Sequence, residues 1–498
     1  MPTSASATPG SSGPALSDLM LAAAHNVRAV LSGRSLSDSL AQTPAGLRPG
    51  AQAISFHAMR RLGLAFELRA ALVRRVPPNP LFDALLLVSL TLLDAACAAA
   101  ASTAPASSDA VTGATAGAAS GATTGATADA TAAAATAPTA AAVAADAAGQ
   151  DALRRGVPVY AVHTVVDQAV RAAASQSRLA PYKGLLNGVL RNFLRGRDEL
   201  LQQALRSPRG RWNHPGWWVK LLRRAYPEDW QALLGAADEP GPMTLRVNVR
   251  RSTPAELLAR LRDAGIEARL LGAAGIVLAR PCPVQQIPGF EQGLWSVQDA
   301  AAQQAAALLA PTAGMRVLDA CAAPGGKTAH LLESADIELQ ALDADAGRLE
   351  RVAQNLRRLG LDGPHVALRC ADAADVDQWW DGRPYDAVLA DVPCTASGIV
   401  RRHPDIRWLR READVARTAA LQRRIADALW RTVKPGGRLL YATCSIFPQE
   451  GSLQAGQFAQ RHPDALRLPA PGQLLPLPGQ GAASLYDGFY YALFAKKP

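Results

Sequence analysis

The chain has 498 residues, a length that suggests about three domains, because a typical domain holds roughly 150 residues. Lysine and arginine outnumber aspartate and glutamate by 52 to 42, so the formal net charge is +10. This basic excess favours a polyanionic partner, although many basic proteins bind none. The six cysteines lie at least 24 residues apart, which excludes a CxxC zinc half-site and argues against a disulfide framework.

Nothing at the N-terminus predicts export or membrane insertion. Residues 1–14 are rich in Ser, Thr, Pro and Gly and lack the basic start and apolar core of a signal peptide. The most apolar run, residues 84–93, has ten residues between two aspartates, about half of what a bilayer requires. We therefore expect a disordered segment at 1–14 and a soluble, cytoplasmic protein with no membrane partner and no metal.

Helical periodicity dominates the N-terminal part on both sides of a low-complexity tract. Apolar residues recur at helical spacing over 57–75, 81–96, 159–174 and 183–205. Residues 98–150 are mostly Ala, Thr, Gly and Ser, with no Lys, Arg or aromatic residue, so they cannot bury enough apolar surface to fold. We predict one all-α domain over 15–205, interrupted by a disordered insertion at 98–150. Repeated Gly and Thr oppose the alternative of a long alanine-rich helix.

Positive charge accumulates at the end of this predicted domain. Residues 178–224 contain eleven Lys and Arg against two acidic residues, Asp198 and Glu199. This imbalance favours a phosphate-contacting surface over a merely solvated helix face. Arg191 and Arg195 are the candidate contacts.

A small α+β module is predicted next, within residues 206–310. Residues 243–248 and 275–279 have the pattern of strands, and 254–264 that of a helix. From residue 311 to 498, strand and helix patterns then alternate. Strands are predicted at 316–320, 338–342, 366–370, 385–390, 437–443 and 489–494, and helices at 329–333, 347–359 and 414–433. This alternation indicates a parallel, doubly wound sheet, on which ligands bind at the carboxyl ends of the strands.

The first of these strands ends in the sequence DACAAPGGKT, residues 319–328, and runs into a helix. A glycine-rich turn that opens a helix offers backbone N–H groups to a polar ligand. A P-loop is excluded because Cys321 stands where it needs Gly, and the GxGxxG of a dinucleotide site is absent. An acid before such a turn suggests instead a cofactor with an amino-acid end, whose ammonium group Asp319 could receive.

Acidic residues also follow the next two strands. Asp343 ends the second strand, where a carboxylate can bind both hydroxyls of a ribose. Asp372 follows the third strand, in a position to contact an adenine amino group. Each acid alone is more simply a helix cap. Three acids at consecutive strand ends favour S-adenosylmethionine as the cofactor.

Cysteines follow the fourth and fifth strands, in DVPC at 391–394 and YATCS at 441–445. Carbon 5 of cytosine accepts a methyl group only when a thiolate has added to carbon 6, so a nucleophilic cysteine suits this chemistry. Asp391 could act as the acid near N3, with electrostatic assistance from Lys327. Spacing alone leaves open whether Cys394 or Cys444 attacks.

The segments 319–328, 391–398 and 441–445 resemble the motifs of RNA 5-methylcytosine methyltransferases of the nucleolar-protein/Sun family. Further similarity to the bacterial Sun/Fmu branch lies in WSVQDA (295–300), VRRHPDIRWLRR (400–411), DGFYY (487–491) and YKGLLNGVLR (182–191). The resemblance covers nearly the whole chain apart from 1–14 and 98–150. This chain departs from the usual Ser-x-x-Gly at 395–398, where it has Thr-Ala-Ser-Gly.

The resemblance implies a multidomain fold with three parts. They are an all-α NusB-like RNA-binding domain at 15–205, linker helices with an RRM-like α+β module at 206–310, and a Rossmann-like methyltransferase domain at 311–498. The implied enzyme transfers a methyl group from S-adenosylmethionine to carbon 5 of a cytosine in 16S ribosomal RNA, cytosine 967. A monomer is expected.

The resemblance also implies roles for individual residues. Cys444 would be the nucleophile, and Cys394 would assist release of the methylated product. The cofactor would be bound by Cys321, Ala322, Ala323, Pro324, Gly325, Gly326, Lys327, Asp343, Asp372 and Asp391. The RNA path would be lined by Arg401, Arg402, Arg407, Arg410 and Arg411, for which a solvated helix is the simpler alternative, together with Arg191 and Arg195.

Two other functions stay open on the sequence. One is a transfer RNA cytosine-5 methyltransferase of the same family, which the NusB-like domain argues against, because such enzymes generally lack it. The other is a non-catalytic RNA-binding factor that uses the fold as a scaffold. The intact Asp319, Asp391, Cys394 and Cys444 argue against it.

Overall fold

A computed structural model describes residues 13–103, 158–477 and 485–498. The first part of the described chain is a helical domain. Its helices are α1 (Leu16–Leu31), α2 (Leu36–Gln42), α3 (Arg48–Arg60), α4 (Leu62–Leu72), α5 (Pro80–Thr103), α6 (Val162–Ala174), α7 (Lys183–Arg195) and α8 (Arg197–Ala204). The predicted all-helical character is thus observed, whereas its NusB-like identity stays a prediction. Two predicted helices are each divided in two, at Arg61 and at Gly196.

Helix α5 lies at the centre of the helical domain. Its residues Pro80–Ser102 are long and apolar enough to cross a membrane by length and composition. Most of this stretch is buried against the other helices, which is also what the core helix of a helical bundle shows. The helix continues past Asp83 and Asp94, the two aspartates that bound the ten-residue apolar run. Each has a cation as partner, Arg69 at 2.5 Å from Asp83 and Arg197 at 2.7 Å from Asp94.

The predicted disorder of residues 98–150 is wrong at its start. Residues 98–103 continue α5, because alanine favours the helix once the preceding turns are packed. The rest of that tract and residues 1–12 lie outside the described residues. Residues 13–15 precede the first turn of α1.

Three short helices lead from the helical domain to a small module. They are α9 (Pro208–Trp212), α10 (Gly216–Ala225) and α11 (Trp230–Ala236). The small module contains β1 (Thr244–Val247), α12 (Pro254–Asp263), β2 (Ala268–Leu271), β3 (Gly275–Leu278) and β4 (Trp295–Val297). Its strands form an antiparallel sheet in the order β2-β3-β1-β4. A capping box between Thr253 and Glu256 starts α12 in front of Pro254.

The catalytic domain is built on a seven-stranded sheet. Its elements are α13 (Gln304–Leu309), β5 (Arg316–Ala320), α14 (Gly326–Ser334), β6 (Glu338–Asp343), α15 (Ala346–Leu359), β7 (Val366–Cys370), α16 (Val376–Trp379), β8 (Tyr385–Asp391), α17 (Ile406–Leu409), α18 (Glu412–Trp430), β9 (Val433–Thr443), α19 (Ser452–Arg461), β10 (Ala465–Leu474) and β11 (Phe489–Lys496). The strand order is β10-β11-β9-β8-β5-β6-β7. Strands β5 to β9 pair in parallel, as predicted for this part of the sheet.

The sheet is mixed, which corrects the prediction of a wholly parallel one. Strand β11 pairs antiparallel with both β9 and β10. Strand β5 lies between β6 and β8, so the chain turns from one half of the sheet to the other there. Open α/β sheets bind ligands in the crevice at such a switch point.

Buried charges on one segment, residues 399–411, join the regions of the molecule. We call it the interdomain segment. Arg407 has no exposed side-chain surface, and its guanidinium donates to Asp238 at 2.5 Å and to the carbonyl of Ala237 at 2.7 Å. Asn213 donates to the same Asp238 carboxylate at 2.8 Å and accepts the N–H of Gly63 at 2.7 Å. Helical domain, linker helices and catalytic domain therefore meet in one network.

A second part of the same segment joins the small module to the C-terminal strand region. Arg402 donates to Asp299 at 2.8 Å, to Asp487 at 2.5 Å and to the carbonyl of Pro242 at 3.0 Å. The buried Arg401 pairs with Asp487 as well. These bonds fix the small module against the catalytic sheet.

Replacing Arg407 with Ala should lower the free energy of unfolding by about 3 kcal/mol, because the change leaves the Asp238 carboxylate without its cation in a largely enclosed site. Thermal and urea denaturation followed by circular dichroism would measure this. Arg423→Ala, at an exposed position of α18, is the control and should change stability little. An equal, small effect of both variants would show that the network contributes nothing to stability.

Candidate active site

A tight turn, the cofactor turn, follows β5 at residues 321–327. Gly325 has φ +95°, and a Cβ there would lie 3.1 Å from Val352, so this position favours glycine sterically as well as conformationally. The N–H of Gly325 donates to the carbonyl of Ala322 at 2.8 Å, and that of Ala322 to the carbonyl of Leu342 on β6 at 2.7 Å. The turn is thereby anchored to its neighbouring strand, and it opens directly into α14.

Asp319 supports the cofactor turn from inside the protein. Its carboxylate accepts the hydroxyl of Thr328 at 2.6 Å, while Oδ1 has no hydrogen-bond partner. Burial raises the pKa of Asp319 to about 7, although the bond from Thr328 opposes that rise. Since the side chain is fully enclosed, the expected contact with a cofactor ammonium group is not supported.

The other predicted acids lie around the same crevice. Asp343 is buried and accepts the N–H groups of Ala323 and Asp345, each at 3.1 Å. Arg348 forms an ion pair with the same carboxylate at 3.6 Å. Asp372 keeps about half of its side chain exposed and accepts the N–H of Ala374 at 2.9 Å.

Lys327 and Asp391 form an ion pair between the cofactor turn and the end of β8. Lys327 Nζ lies 2.6 Å from Asp391 Oδ2. Burial lowers the pKa of Lys327, but the attraction and hydrogen bond of Asp391 outweigh it, and the net pKa is raised. A negative charge on Cys444 is a further, smaller cause of the raised pKa of Lys327.

The two cysteines at the ends of β8 and β9 are in contact. Cys394 Sγ and Cys444 Sγ lie 3.4 Å apart. The hydrogen bond with Cys444, and then burial, hold the pKa of Cys394 well above its usual range. Cys394 is therefore a neutral thiol beside a second sulfur. All six cysteines are free, and the described residues contain no group of three or more His, Cys, Asp or Glu that could hold a metal ion.

Arg246 of the small module reaches the cofactor turn, which sequence reasoning missed. It lies on β1, makes a fully buried ion pair with Glu333 of α14 at 2.8 Å, and donates to the carbonyl of Gly326 at 2.6 Å. Its signal in the sequence is an arginine inside an apolar strand. Glu450, fully buried beside both cysteines, was missed as well.

The arginines assigned to the RNA path differ in exposure. Arg401 and Arg407 are buried and paired with carboxylates, so in this structure they do not present a cation to a phosphate. Arg402 is largely enclosed by its two aspartates, and Arg410 donates to the carbonyl of Thr395 at 3.0 Å. Arg411 is exposed, as are Arg191 and Arg195 on α7.

The fold and this site together define a class of protein. The strand order reverses at β5, a glycine-containing turn follows that strand, and acids stand at the ends of successive strands. This is the architecture of Rossmann-like methyltransferases. Two thiols in contact beside the turn add a group that can bond covalently to a substrate. The chain is thus a Rossmann-like methyltransferase with a paired-cysteine site.

Comparison with known proteins places the chain within this class. Residues 306–494 match the family 16S rRNA methyltransferase RsmB/F, and residues 214–285 match the ferredoxin-like domain of RsmF/B-like methyltransferases. The chain is 48% identical over 343 residues to ribosomal RNA small subunit methyltransferase B of Vibrio cholerae, covering 67% of this chain and 77% of that protein. For the protein of the same name from Pseudomonas syringae pv. tomato, identity is 46% over 335 residues, covering 63% and 72%. The chain belongs to the 16S rRNA methyltransferase RsmB/F family.

Solved structures share the fold. PH0851 superposes with a TM-score of 0.68 at 21% identity, covering 96% of this chain and 99% of that one. NSun6 from Pyrococcus horikoshii, solved with SFG, has a TM-score of 0.51 at 19% identity, covering 57% and 98%. At these identities the likeness concerns the fold alone.

The raised pKa of Asp319 predicts a pH-dependent effect of Asp319→Asn. The folded state holds this carboxyl protonated up to about pH 7, whereas the unfolded chain releases the proton near pH 4. The group's favourable contribution is therefore complete below pH ~4 and is lost as the pH rises through about 7. Since Asn stays neutral, the melting temperature of the variant relative to wild type should rise between pH 4 and 8. Asp263→Asn, at an exposed site, should show a flat difference, and a flat difference for Asp319→Asn would refute the raised pKa.

Proposed function

We propose that this chain transfers a methyl group from S-adenosylmethionine to carbon 5 of a cytosine in 16S ribosomal RNA, through a covalent bond between Cys444 and carbon 6 of the base. Cytosine 967 is the proposed target. The observation that carries this proposal is the 3.4 Å contact between the sulfurs of Cys394 and Cys444, beside the Lys327–Asp391 pair. Such a group of side chains suits nucleophilic addition to a pyrimidine.

The residues present fit S-adenosylmethionine by the chemistry of their donors and acceptors. The cofactor turn, residues 321–327, would hold the amino-acid end with its backbone groups. The Asp343 carboxylate at the end of β6 is the proposed acceptor for ribose hydroxyls, and the half-exposed Asp372 is open to an adenine amino group. Asp391 lies at the edge of the turn, next to Lys327. When bound, S-adenosylmethionine supplies an electrophilic methyl group.

The charges around the two sulfurs support different roles for them. The hydrogen bond with Cys444 holds the pKa of Cys394 well above its usual range, so Cys394 is the neutral partner and Cys444 is the proposed nucleophile. Its sulfur bonds to carbon 6, and the displaced electron pair makes carbon 5 nucleophilic, while the Lys327 cation, held in place by Asp391, stabilises the negative charge that develops at N3 and O2. After methylation, solvent water takes the carbon 5 proton, and the electron pair of that C–H bond restores the carbon 5–carbon 6 double bond as the sulfur–carbon 6 bond breaks. Cys394, held as a neutral thiol, is placed to give a proton to the departing Cys444 sulfur.

The RNA would be held outside the catalytic crevice by exposed basic side chains. Arg191 and Arg195 on the helical domain and Arg411 at the start of α18 are the candidates that remain accessible. A cytosine in a helix is out of reach of the sulfurs, so the target must be unpaired or flipped. The resemblance to the family also leads us to propose that residues 15–205 form a NusB-like domain and that the small module binds RNA. Free thiols suit the reducing cytoplasm, and a monomer is the proposed state.

Cys444→Ala should reduce methyl transfer by at least about 10³-fold while leaving S-adenosylmethionine affinity unchanged, because only the nucleophile is lost. Cys394→Ala should instead accumulate a covalent protein–RNA adduct, visible as a band that resists denaturing electrophoresis. Cys97→Ala, in α5 and away from the site, should behave as wild type. Full turnover by Cys444→Ala, or a Cys394→Ala enzyme that releases product normally, would contradict the respective role.

A substrate comparison tests the target. Radiolabelled S-adenosylmethionine should label unmodified 16S RNA, at one cytosine, and should label neither 23S RNA nor bulk transfer RNA. Label confined to transfer RNA would retain the chemistry and overturn the target. Binding of the cofactor without labelling of any RNA, including RNA in partially assembled small subunits, would support a non-catalytic RNA-binding factor instead.

A further inference from the structure

The two cysteines lie on two loops that contact each other directly. The cysteine loops are residues 393–398, which follow β8, and residues 444–450, which follow β9. The N–H of Gly398 donates to the carbonyl of Cys444 at 2.9 Å, so the backbones are within hydrogen-bond distance. The separation of the two sulfurs therefore depends on how these loops are held together.

One buried carboxylate holds both loops. Glu450 is fully buried, and its Oε1 accepts the N–H of Thr395 at 2.8 Å. Its Oε2 accepts the hydroxyls of Thr395 at 2.5 Å and Ser445 at 2.6 Å. Thr395 and Ser445 directly follow Cys394 and Cys444 in the chain. Glu450 thus fixes the residue next to each sulfur.

Helix α18 completes the surroundings of this carboxylate. The hydroxyl of Thr418 donates to Oε1 at 2.5 Å, and the amide of Gln422 donates at 3.4 Å. The same amide donates to the carbonyl of Pro393, just before Cys394, at 2.9 Å. The donors around Glu450 are all neutral, and their number suits an ionised carboxylate, which can only accept.

The direction of these hydrogen bonds follows from that charge. Because the Glu450 carboxylate cannot donate, the hydroxyl proton of Ser445 points towards it. Ser445 Oγ also accepts the N–H of Phe447 at 3.0 Å, and Ser397 must then donate across the 2.9 Å contact between the two serine hydroxyls. Both lone pairs of Ser445 are occupied. An amide at position 450 would therefore find no acceptor at Ser445.

We propose that Glu450 is a positioning residue that sets the relative placement of the Cys394 and Cys444 sulfurs. This inference rests on the proposed function of the two cysteines. It agrees with the raised pKa of Cys394, to which the charge of Glu450 contributes after the hydrogen bond with Cys444 and burial. None of the Glu450 hydrogen bonds described above reaches the cofactor turn. A substitution at Glu450 should therefore change the placement of the cysteines without changing cofactor binding.

Glu450→Gln keeps the shape of the side chain but can place an amide N–H, a donor, opposite the hydroxyl of Ser445, which also donates. Its kcat should fall at least about tenfold, with the KM for S-adenosylmethionine unchanged. Asp464→Asn is the matched control, since Asp464 also accepts from a neutral donor, the indole N–H of Trp430 at 3.1 Å, but lies away from the site. That control should retain wild-type kcat. An unchanged kcat in Glu450→Gln would overturn the proposal.

Thiol cross-linking measures the placement of the sulfurs without methyl transfer. Diamide oxidises two thiols to a disulfide and is itself reduced to the hydrazine, and peptide mass mapping identifies the Cys394–Cys444 product. The rate of disulfide formation should fall at least about tenfold in Glu450→Gln. A Glu450→Gln enzyme that forms the disulfide at the wild-type rate but has a reduced kcat would refute a positioning role. If Glu450→Gln does not fold, as judged by circular dichroism, Thr395→Val decides by the same two measurements, because it keeps the shape of the side chain and removes the hydroxyl bond from the Cys394 loop to Glu450. Should wild type label no RNA while cross-linking still depends on Glu450, the proposed function fails and the positioning role stands.

Discussion

A guanidinium group enclosed by protein needs carboxylates and carbonyls around it, and Arg407 obtains them from a different region of the chain. Its partners Asp238 and Ala237 belong to the end of the linker, and the Asn213 that shares Asp238 also accepts a backbone N–H from the helical domain. A buried ion pair adds little net stability compared with apolar packing, but it is strongly unfavourable when one partner is displaced. The network therefore favours one arrangement of the regions over its alternatives.

The cysteine site depends on the same segment. Arg410, a few residues from Arg407, donates to the carbonyl of Thr395, and Thr395 is one of the residues that Glu450 binds. Phe447 of the second cysteine loop packs against Trp217 and Trp218 of the linker. The sulfurs are thus placed by contacts from outside the catalytic sheet as well as by the ends of its strands.

The parallel strands and the cofactor turn were predictable because their signals are local. Apolar runs alternate with helical patterns, and the turn and both cysteines follow strands directly. Strand β10 was missed since Pro469 and Pro471 interrupt its pattern, a feature that an edge strand tolerates and a central strand does not. Of the two edge strands of the small module, β2 was missed because none of its residues is buried, unlike those of β1 and β3, and β4 because it has only three residues.

The buried charges were not predictable, for a physical reason. A sequence gives the charge of a side chain but not whether that side chain faces water. Arg401 and Arg407 were therefore assigned to an RNA surface, although each pairs with a carboxylate that is distant in the sequence. The role of Glu450 depends on Thr395, 55 residues away. Such pairings follow from the tertiary fold, and a single sequence has no local pattern for them.

The bond from Arg246 to the carbonyl of Gly326 bears on how modular this protein is. A fragment cut at residue 310, where the sequence suggests a boundary, would keep Glu333 inside α14 but lose the arginine that neutralises it. It would also release the peptide that opens the helix of the cofactor turn. The catalytic sheet and the small module are therefore one structural unit, and an expressed catalytic fragment has to begin before β1, not at the first strand of the large sheet.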